Sequence, residues 1–249
     1  MPSLSALTQP CSPPWTRTKS NNNSPDAVAL HNITLTIQPG QKVGLCGRTG
    51  AGKSSLVAAV LRLLELDSGT LRIDGVDVAT LRRDALRGRL VALPQDPLVL
   101  AGVDVRGNAD PGGAASEAAV RAALERVGLW AAVEARGGLA AEVSGATWSR
   151  GQLQLLALAR ALLLVRAGRR VVLLDEPTSG VDAEADATVQ RVLREECSGA
   201  TVLTVAHRIE TIMGSDVVVV LDEGRVVEVG PPGELVRRRG PFAALARAS

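Results

Sequence analysis

The spacing of hydrophobic positions changes several times along the chain, and each change marks an element. Ile33, Leu35 and Ile37 alternate with Thr34 and Thr36, a period of two that predicts a half-buried strand. Pro39-Gly40 predicts a turn, and Lys42-Val43-Gly44-Leu45-Cys46 a short buried strand. From Ser54 to Leu64 the period lengthens, with Leu56, Val60, Leu63 and Leu64 at helical spacing. Leu71–Ile73 and Val76–Val78 flank Asp74-Gly75, a hairpin signal. Arg89–Leu93 predicts a further strand. Residues from about 97 to 165 read as mostly helical, with a Gly/Ala-rich break at 107–115. The unbroken apolar run Val171–Leu174 predicts a buried strand. A helix near 183–196, a strand near 200–205 and a final hairpin follow, the hairpin pairing Val217–Leu221 with Arg225–Val229 across Asp222-Glu223-Gly224. Strands alternating with helices predict an α/β sheet.

Composition narrows the classes. The 249 residues suffice for one large domain, or one domain with a subdomain. There is no tyrosine, and the only other aromatics are Trp15, Trp130, Trp148 and Phe242, so the core must be built from Leu, Val and Ala. Residues 1–26 are rich in Pro, Ser, Thr and Asn and predict disorder, leaving 27–249 as the folded domain. The net charge is +2 and the basic residues are dispersed, which argues against nucleic acid as a partner. Cys11, Cys46 and Cys197 have neither metal-ligand nor disulfide-framework spacing, which fits a reducing compartment. The longest apolar stretch, Leu153–Val165, is broken by Gln154 and Arg160, so no membrane span is predicted. No apolar run follows a basic start, so no signal peptide is predicted either.

The chemistry begins directly after the Lys42–Cys46 strand. Gly47-Arg48-Thr49-Gly50-Ala51-Gly52-Lys53-Ser54 fits G-x-x-x-x-G-K-[ST], a loop that cradles phosphates. Its glycines let backbone N–H groups turn inward where a Cβ would obstruct them. Lys53 is suited to the β- and γ-phosphates, the Ser54 hydroxyl to Mg²⁺, and the following helix points its N-terminus at the anion. Only three of the 28 basic residues are lysines, Lys19, Lys42 and Lys53. A chance match is already roughly a one-in-a-hundred event at average glycine usage, and rarer with so few lysines.

Five more features follow in order. Gln95 succeeds the Arg89–Leu93 strand, and a neutral amide there is able to hold Mg²⁺ or a water. Trp148-Ser149-Arg150-Gly151-Gln152 opens a long amphipathic helix; Ser149 and Gly151 at a helix start make a second anion site, though read in isolation the pentapeptide fits a plain N-cap at Ser149 better. Asp175-Glu176 ends the Val171–Leu174 strand, placing one carboxylate for Mg²⁺ and one to polarise water. Ser179-Gly180-Val181-Asp182 reads as a turn capping the next helix. His207 ends the Thr201–Val205 strand, where an imidazole is placed to bond a γ-phosphate; His31 has no such context.

This series of motifs resembles the nucleotide-binding domain of ATP-binding cassette (ABC) transporters, over about residues 28–247. The stretch Val43 to Lys53, Pro94-Gln95-Asp96-Pro97 and the ending Gly240-Pro241-Phe242 to Ser249 look most like the second cassette of the multidrug-resistance-associated (C) subfamily. The resemblance implies a P-loop NTPase core with an antiparallel β subdomain and a helical signature subdomain at about 97–165. It implies Gly47 to Ser55 (Gly47, Arg48, Thr49, Gly50, Ala51, Gly52, Lys53, Ser54, Ser55) as the ATP phosphate site. Mg²⁺ would be held by Ser54, Gln95 and Asp175. Glu176 would be the catalytic base and His207 the γ-phosphate sensor. Ser149, Gly151 and Gln152 would form the signature that meets ATP on a partner cassette. The resemblance further implies a head-to-tail pair of cassettes, membrane domains carried either on a separate polypeptide or on a longer protein of which this is the C-terminal piece, and a place on the cytoplasmic side of a membrane.

Three departures stand out. Arg150 replaces a common glycine and Leu153 a common basic residue. The segment Ser144-Gly145-Ala146-Thr147 is shorter than the subfamily's. The aromatic that usually stacks adenine has no counterpart but Trp15. They motivate an alternative, a truncated cassette that binds nucleotide and transports nothing. A soluble ABC ATPase of ribosomes or DNA repair would usually carry two cassettes or a coiled-coil insertion, and neither is present.

Overall fold

The computed structural model describes residues 29–145, 147–176, 183–206 and 208–248. The predicted disordered segment 1–26, Trp15, Ala146, the Ser179–Asp182 turn and His207 lie outside them. In chain order the elements are β1 (Lys42–Cys46), α1 (Lys53–Val60), β2 (Arg72–Ile73), β3 (Val76–Asp77), α2 (Arg83–Arg87), β4 (Leu90–Leu93), α3 (Val105–Ala109), α4 (Glu117–Arg126), α5 (Trp130–Glu134), α6 (Arg150–Arg166), β5 (Val171–Asp175), α7 (Ala183–Glu196), β6 (Thr201–Val205), β7 (Val217–Asp222), β8 (Arg225–Gly230), α8 (Pro232–Arg238) and α9 (Pro241–Ala248). They group into two compact units. The first takes in the described residues up to Leu90, then Val171–Asp175, then those from Ala200 onward. The second takes in Val91–Arg170 and the described part of Glu176–Gly199.

The first unit is a sheet in the order β5-β6-β1-β7-β8 with the β2–β3 ribbon as a separate antiparallel pair. Strands β5, β6, β1 and β7 are parallel, and β8 returns antiparallel beside β7. Successive residues of β7 show why its sequence is an unbroken apolar run. Val219 and Leu221 join one core cluster with Leu45, Leu173, Leu203 and the α1 residues Leu56, Val57 and Val60. Val218 and Val220 join another with Cys46, Ile212, Leu235 and Phe242. Both faces of the sheet are covered, so alternation gives way to continuous hydrophobicity.

Three differences from the sequence expectations have physical causes. Ile33 and Ile37 are buried and Leu35 half-buried, yet the segment joins neither sheet. Alternation fixes which side faces inward; a strand also needs a neighbour in hydrogen-bond register. Helix α1 ends at Val60 rather than Leu64 because Arg62 turns left-handed (φ 49°). Arg87 donates to the carbonyls of Leu61 and Arg62, both at 2.9 Å, and so satisfies the helix end. Helices α8 and α9 carried no expectation. Pro232 sits in the first turn of α8, and Phe242 at the start of α9 is fully buried.

The second unit is helical apart from β4. Helix α6 buries residues over most of its circumference rather than one stripe, including Gln154, Leu156, Leu158, Leu162 and Val165. Its Arg160 donates to the carbonyls of Asn108 (2.7 Å) and Leu98 (3.1 Å). Asn108, fully buried, accepts from Leu100 N (2.8 Å) and donates to Val103 O (2.8 Å), bracing the irregular chain at 98–104. Glu196 at the end of α7 receives Arg126 of α4 (2.8 Å) and Arg166 of α6 (3.0 Å), and Arg126 also pairs with Glu195. The two arginines hold the Glu196 carboxyl below its ordinary value.

Candidate nucleotide site

The loop from Gly47 to Gly52 takes its shape from three glycines in the left-handed half of backbone space. Gly47 (φ 148°) lies against β7, and a Cβ there would run into the Leu221 carbonyl. Gly52 (φ 97°) caps α1, and a Cβ there would meet the Ala29 carbonyl at 2.7 Å. Gly50 (φ 83°) sits at the open rim with nothing near it. Ala51 N donates to Arg48 O (3.1 Å) and Gly224 N to Ala51 O (3.1 Å), which ties the loop to itself and to the β7–β8 turn.

Lys53 is 5% exposed, and its ammonium donates to the carbonyls of Gly47 (2.9 Å) and Arg48 (3.1 Å). The side chain therefore folds back along the loop that precedes it, with its charge on the Gly47 and Arg48 carbonyls. Helix α1 has no side-chain cap and no acid in its first turn, so its N-terminal amides form an anion-binding end. Ser54 in that turn is exposed and Ser55 half-buried; Arg48 and Thr49 are exposed on the rim. Below the loop, burial pushes the Cys46 thiol up to about 12, against the pull of the Lys53 charge. Asp175 shares a register row with Val205, and Val205 with Leu45. Its half-buried carboxylate thus stands at the edge of the sheet from which the loop springs.

The second unit assembles another group of the predicted residues. Gln95 Nε2 donates to Glu176 Oε2 over a long 3.4 Å. Glu176 has φ 46°, a left-handed conformation that costs a non-glycine residue about 1–2 kcal/mol. Ser149 is the N-cap of α6: its Oγ accepts from Gln152 N (3.1 Å) while Gln152 Oε1 accepts from Ser149 N (3.1 Å). This reciprocal box is worth about 1 kcal/mol and leaves the Ser149 hydroxyl proton as a donor. Gly151, half-buried, lies in the same first turn. Trp148 anchors the box from below, its Nε1 donating to Glu142 O (3.1 Å) and Arg136 lying 4.7 Å over its ring. Arg150 donates to Asp96 Oδ1 at 2.8 Å.

Oxygen donors of the kind a hard cation takes are present in Ser54, Gln95 and Asp175, and the loop is shaped for phosphate oxygens. The pairing of Arg150 with Asp96 and the bracing of 98–104 by Asn108 and Arg160 carried no sequence signal. Departure from the common glycine marked Arg150 as unusual without revealing its partner.

A family model described as "ABC transporter" matches residues 30–179, more than half of the chain. The chain belongs to the ABC transporter family. Among its relatives is ABC multidrug transporter B of Aspergillus fumigatus, 46% identical over 218 residues, covering 88% of this chain and 15% of that protein. Another is ATP-binding cassette sub-family C member 2 of Rattus norvegicus, 45% identical over 223 residues, covering 88% of this chain and 14% of that protein. The C-subfamily likeness read from the motifs is met in this second relative. The chain thus spans about one seventh of the length of the relatives it matches. Among solved structures, a bacterial Atm1-family ABC exporter with ATP bound superposes with a TM-score of 0.84 at 29% identity, covering 99% of this chain and 44% of that one. The α/β cassette fold expected from the sequence is the fold found. In this family the cassette is the part that binds ATP and hydrolyses it to drive transport. No helix among the described residues is long and apolar enough to cross a membrane.

Proposed function

We propose that this cassette powers export through membrane domains carried elsewhere, on the cytoplasmic side of a membrane, as one half of a head-to-tail pair. The observation that carries the reading is the phosphate loop, with buried Lys53 folded back along it and Asp175 in the register row beside its root. ATP would bind with its phosphates on the loop amides and the N-terminus of α1, and Lys53 would exchange its carbonyl partners for β- and γ-phosphate oxygens. Ser54, Asp175 and Gln95 would hold Mg²⁺, which supplies neutralising charge to those oxygens.

Glu176 would accept a proton from water as the water oxygen bonds to the γ-phosphorus and the bond to the β-bridging oxygen breaks, leaving ADP and phosphate. His207 would donate a hydrogen bond to the departing γ-phosphoryl group. Ser149, Gly151 and Gln152 would close the site of the opposite cassette, with the Ser149 proton and the first-turn amides of α6 as donors. A chain that only binds nucleotide is the weaker reading, because Lys53, Asp175 and Glu176 are all retained.

The test is a molar-mass measurement by light scattering on the Glu176→Gln protein with and without MgATP, beside turnover of the wild-type chain. Pairing driven by MgATP is the expected result. A wild-type chain that hydrolyses ATP as a strict monomer, at a rate per chain independent of concentration and indifferent to Ser149→Arg, would overturn the paired mechanism.

A further inference from the structure

We propose that Arg150 is a positioning residue, whose ion pair with Asp96 holds the Gln95 loop against the start of α6 and so sets the contact between Gln95 and Glu176. Within the second unit, two polar contacts joined by the peptide link between Gln95 and Asp96 run through these four residues. Arg150 Nη2 meets Asp96 Oδ1 at 2.8 Å, Asp96 follows Gln95 directly, and Gln95 Nε2 reaches Glu176 Oε2 at 3.4 Å.

Arg160 and Asn108 brace 98–108 by backbone carbonyls and amides, and the Ser149–Gln152 box is joined from outside by Arg136, which donates to Gln152 Oε1 (3.4 Å). The Asp96–Arg150 pair joins the loop between Pro94 and Pro97 to the start of α6. Arg150 sits at the first helical position, where its amide has no intrahelical acceptor to lose and its side chain is free to reach outward.

Physical chemistry says what kind of link this is. Arg150 is 50% and Asp96 86% exposed, so the pair is solvated and screened by salt. It cannot carry the fold, which rests on the buried faces of α6. It can bias an exposed loop, and the Gln95–Glu176 contact is long enough to be lost by a small shift. A glycine at position 150, the residue common in the family, would leave Asp96 without this partner. The arginine thus gives this cassette a salt-sensitive hold on its Gln95 loop.

The inference rests on the ATPase reading above, and its test has one arm that does not. In the full chain, Arg150→Ala and Asp96→Ala should each raise hydrogen–deuterium exchange at 94–98, most clearly at low salt, with the melting temperature unchanged. For turnover, each should lower kcat by about 2- to 5-fold with KM for ATP nearly constant, the range of an exposed ion pair. The double alanine variant should fall no further than either single one. The exchanged pair, Arg150→Asp with Asp96→Arg, should recover both exchange and kcat. The wild-type kcat should drop with added salt more steeply than that of Arg150→Ala. Additive losses, no recovery in the exchanged pair, or unchanged exchange at 94–98 would overturn the proposal. Absent ATP turnover in the wild-type chain would count against the ATPase reading alone, and the exchange measurement would still decide the role of Arg150.

Discussion

At the end of β1 the phosphate loop is held almost entirely by backbone. Glycines at 47 and 52 press against carbonyls that would exclude a Cβ, and even Lys53 bonds main-chain oxygens. In the second unit, the residues that would complete the chemistry are held by side chains at the surface: Gln95 on Glu176, Arg150 on Asp96, Ser149 on the amide of Gln152. The first arrangement is tightly specified, because at positions 47 and 52 any side chain would collide with a backbone carbonyl. The second is soft because each contact competes with water at nearly equal free energy. The contrast suits the proposed division of labour, in which the loop grips nucleotide in every state while the Gln95 and Ser149 groups respond to it.

Three variants test that contrast, the first expected to be the most severe. Glu176→Gln keeps the shape and the Gln95 contact but removes the base. Turnover should fall by roughly 10²- to 10⁴-fold with ATP affinity near normal, the usual range for general-base loss. Single-turnover kinetics would show it, and a mutant as fast as the wild type would remove Glu176 from that role. Next, Lys53→Ala strikes the tightly specified half. It takes away the charge facing the phosphates, and ATP affinity should drop by about two orders of magnitude, a loss of the size set by charge-assisted hydrogen bonds. A binding titration on protein shown to be folded by thermal melting checks it, and unchanged affinity would break the assignment of the loop.

The smallest effect is one of stability and belongs to the frame beneath the soft half. Glu196, held below its ordinary 4.5 by Arg166 and Arg126, stabilises the native state above that value and loses the contribution as pH falls through its folded value. Glu196→Gln should therefore cost about 1 kcal/mol at pH 7, or about 2–4 °C in melting temperature, discounting for the partial exposure of the arginines. The deficit should shrink as pH is lowered through the carboxylate range. A deficit constant with pH would mean that the cost comes from packing rather than charge.

Much of this architecture was legible in the chain because its signals are local. Lys42–Cys46, Val171–Leu174 and Val217–Leu221 read as strands because residues buried on both faces must be apolar without interruption. The phosphate loop is legible because the need for left-handed backbone at Gly47 and Gly52 and for a lysine after them is written in consecutive residues. What failed were inferences that needed a distant partner. The alternation at Ile33–Ile37 gave the correct buried side and the wrong element, since pairing is decided by what lies alongside. The stop of α1 at Val60 depends on Arg87, 26 residues beyond Leu61.

The sequence by itself determined the family, the kind and order of most elements, and the glycine-built loop with its lysine after β1, because these follow from spacing, side-chain chemistry and glycine's freedom of φ. Tertiary structure alone decided that Asp175 shares a register row, through Val205, with Leu45 beside the loop. It alone decided that Glu176 is left-handed and touched by Gln95, and that Arg150 meets Asp96 across 54 residues of chain. Contacts between residues so far apart carry no period, and their free energies are too small to leave a compositional mark; only the folded chain brings the partners within reach.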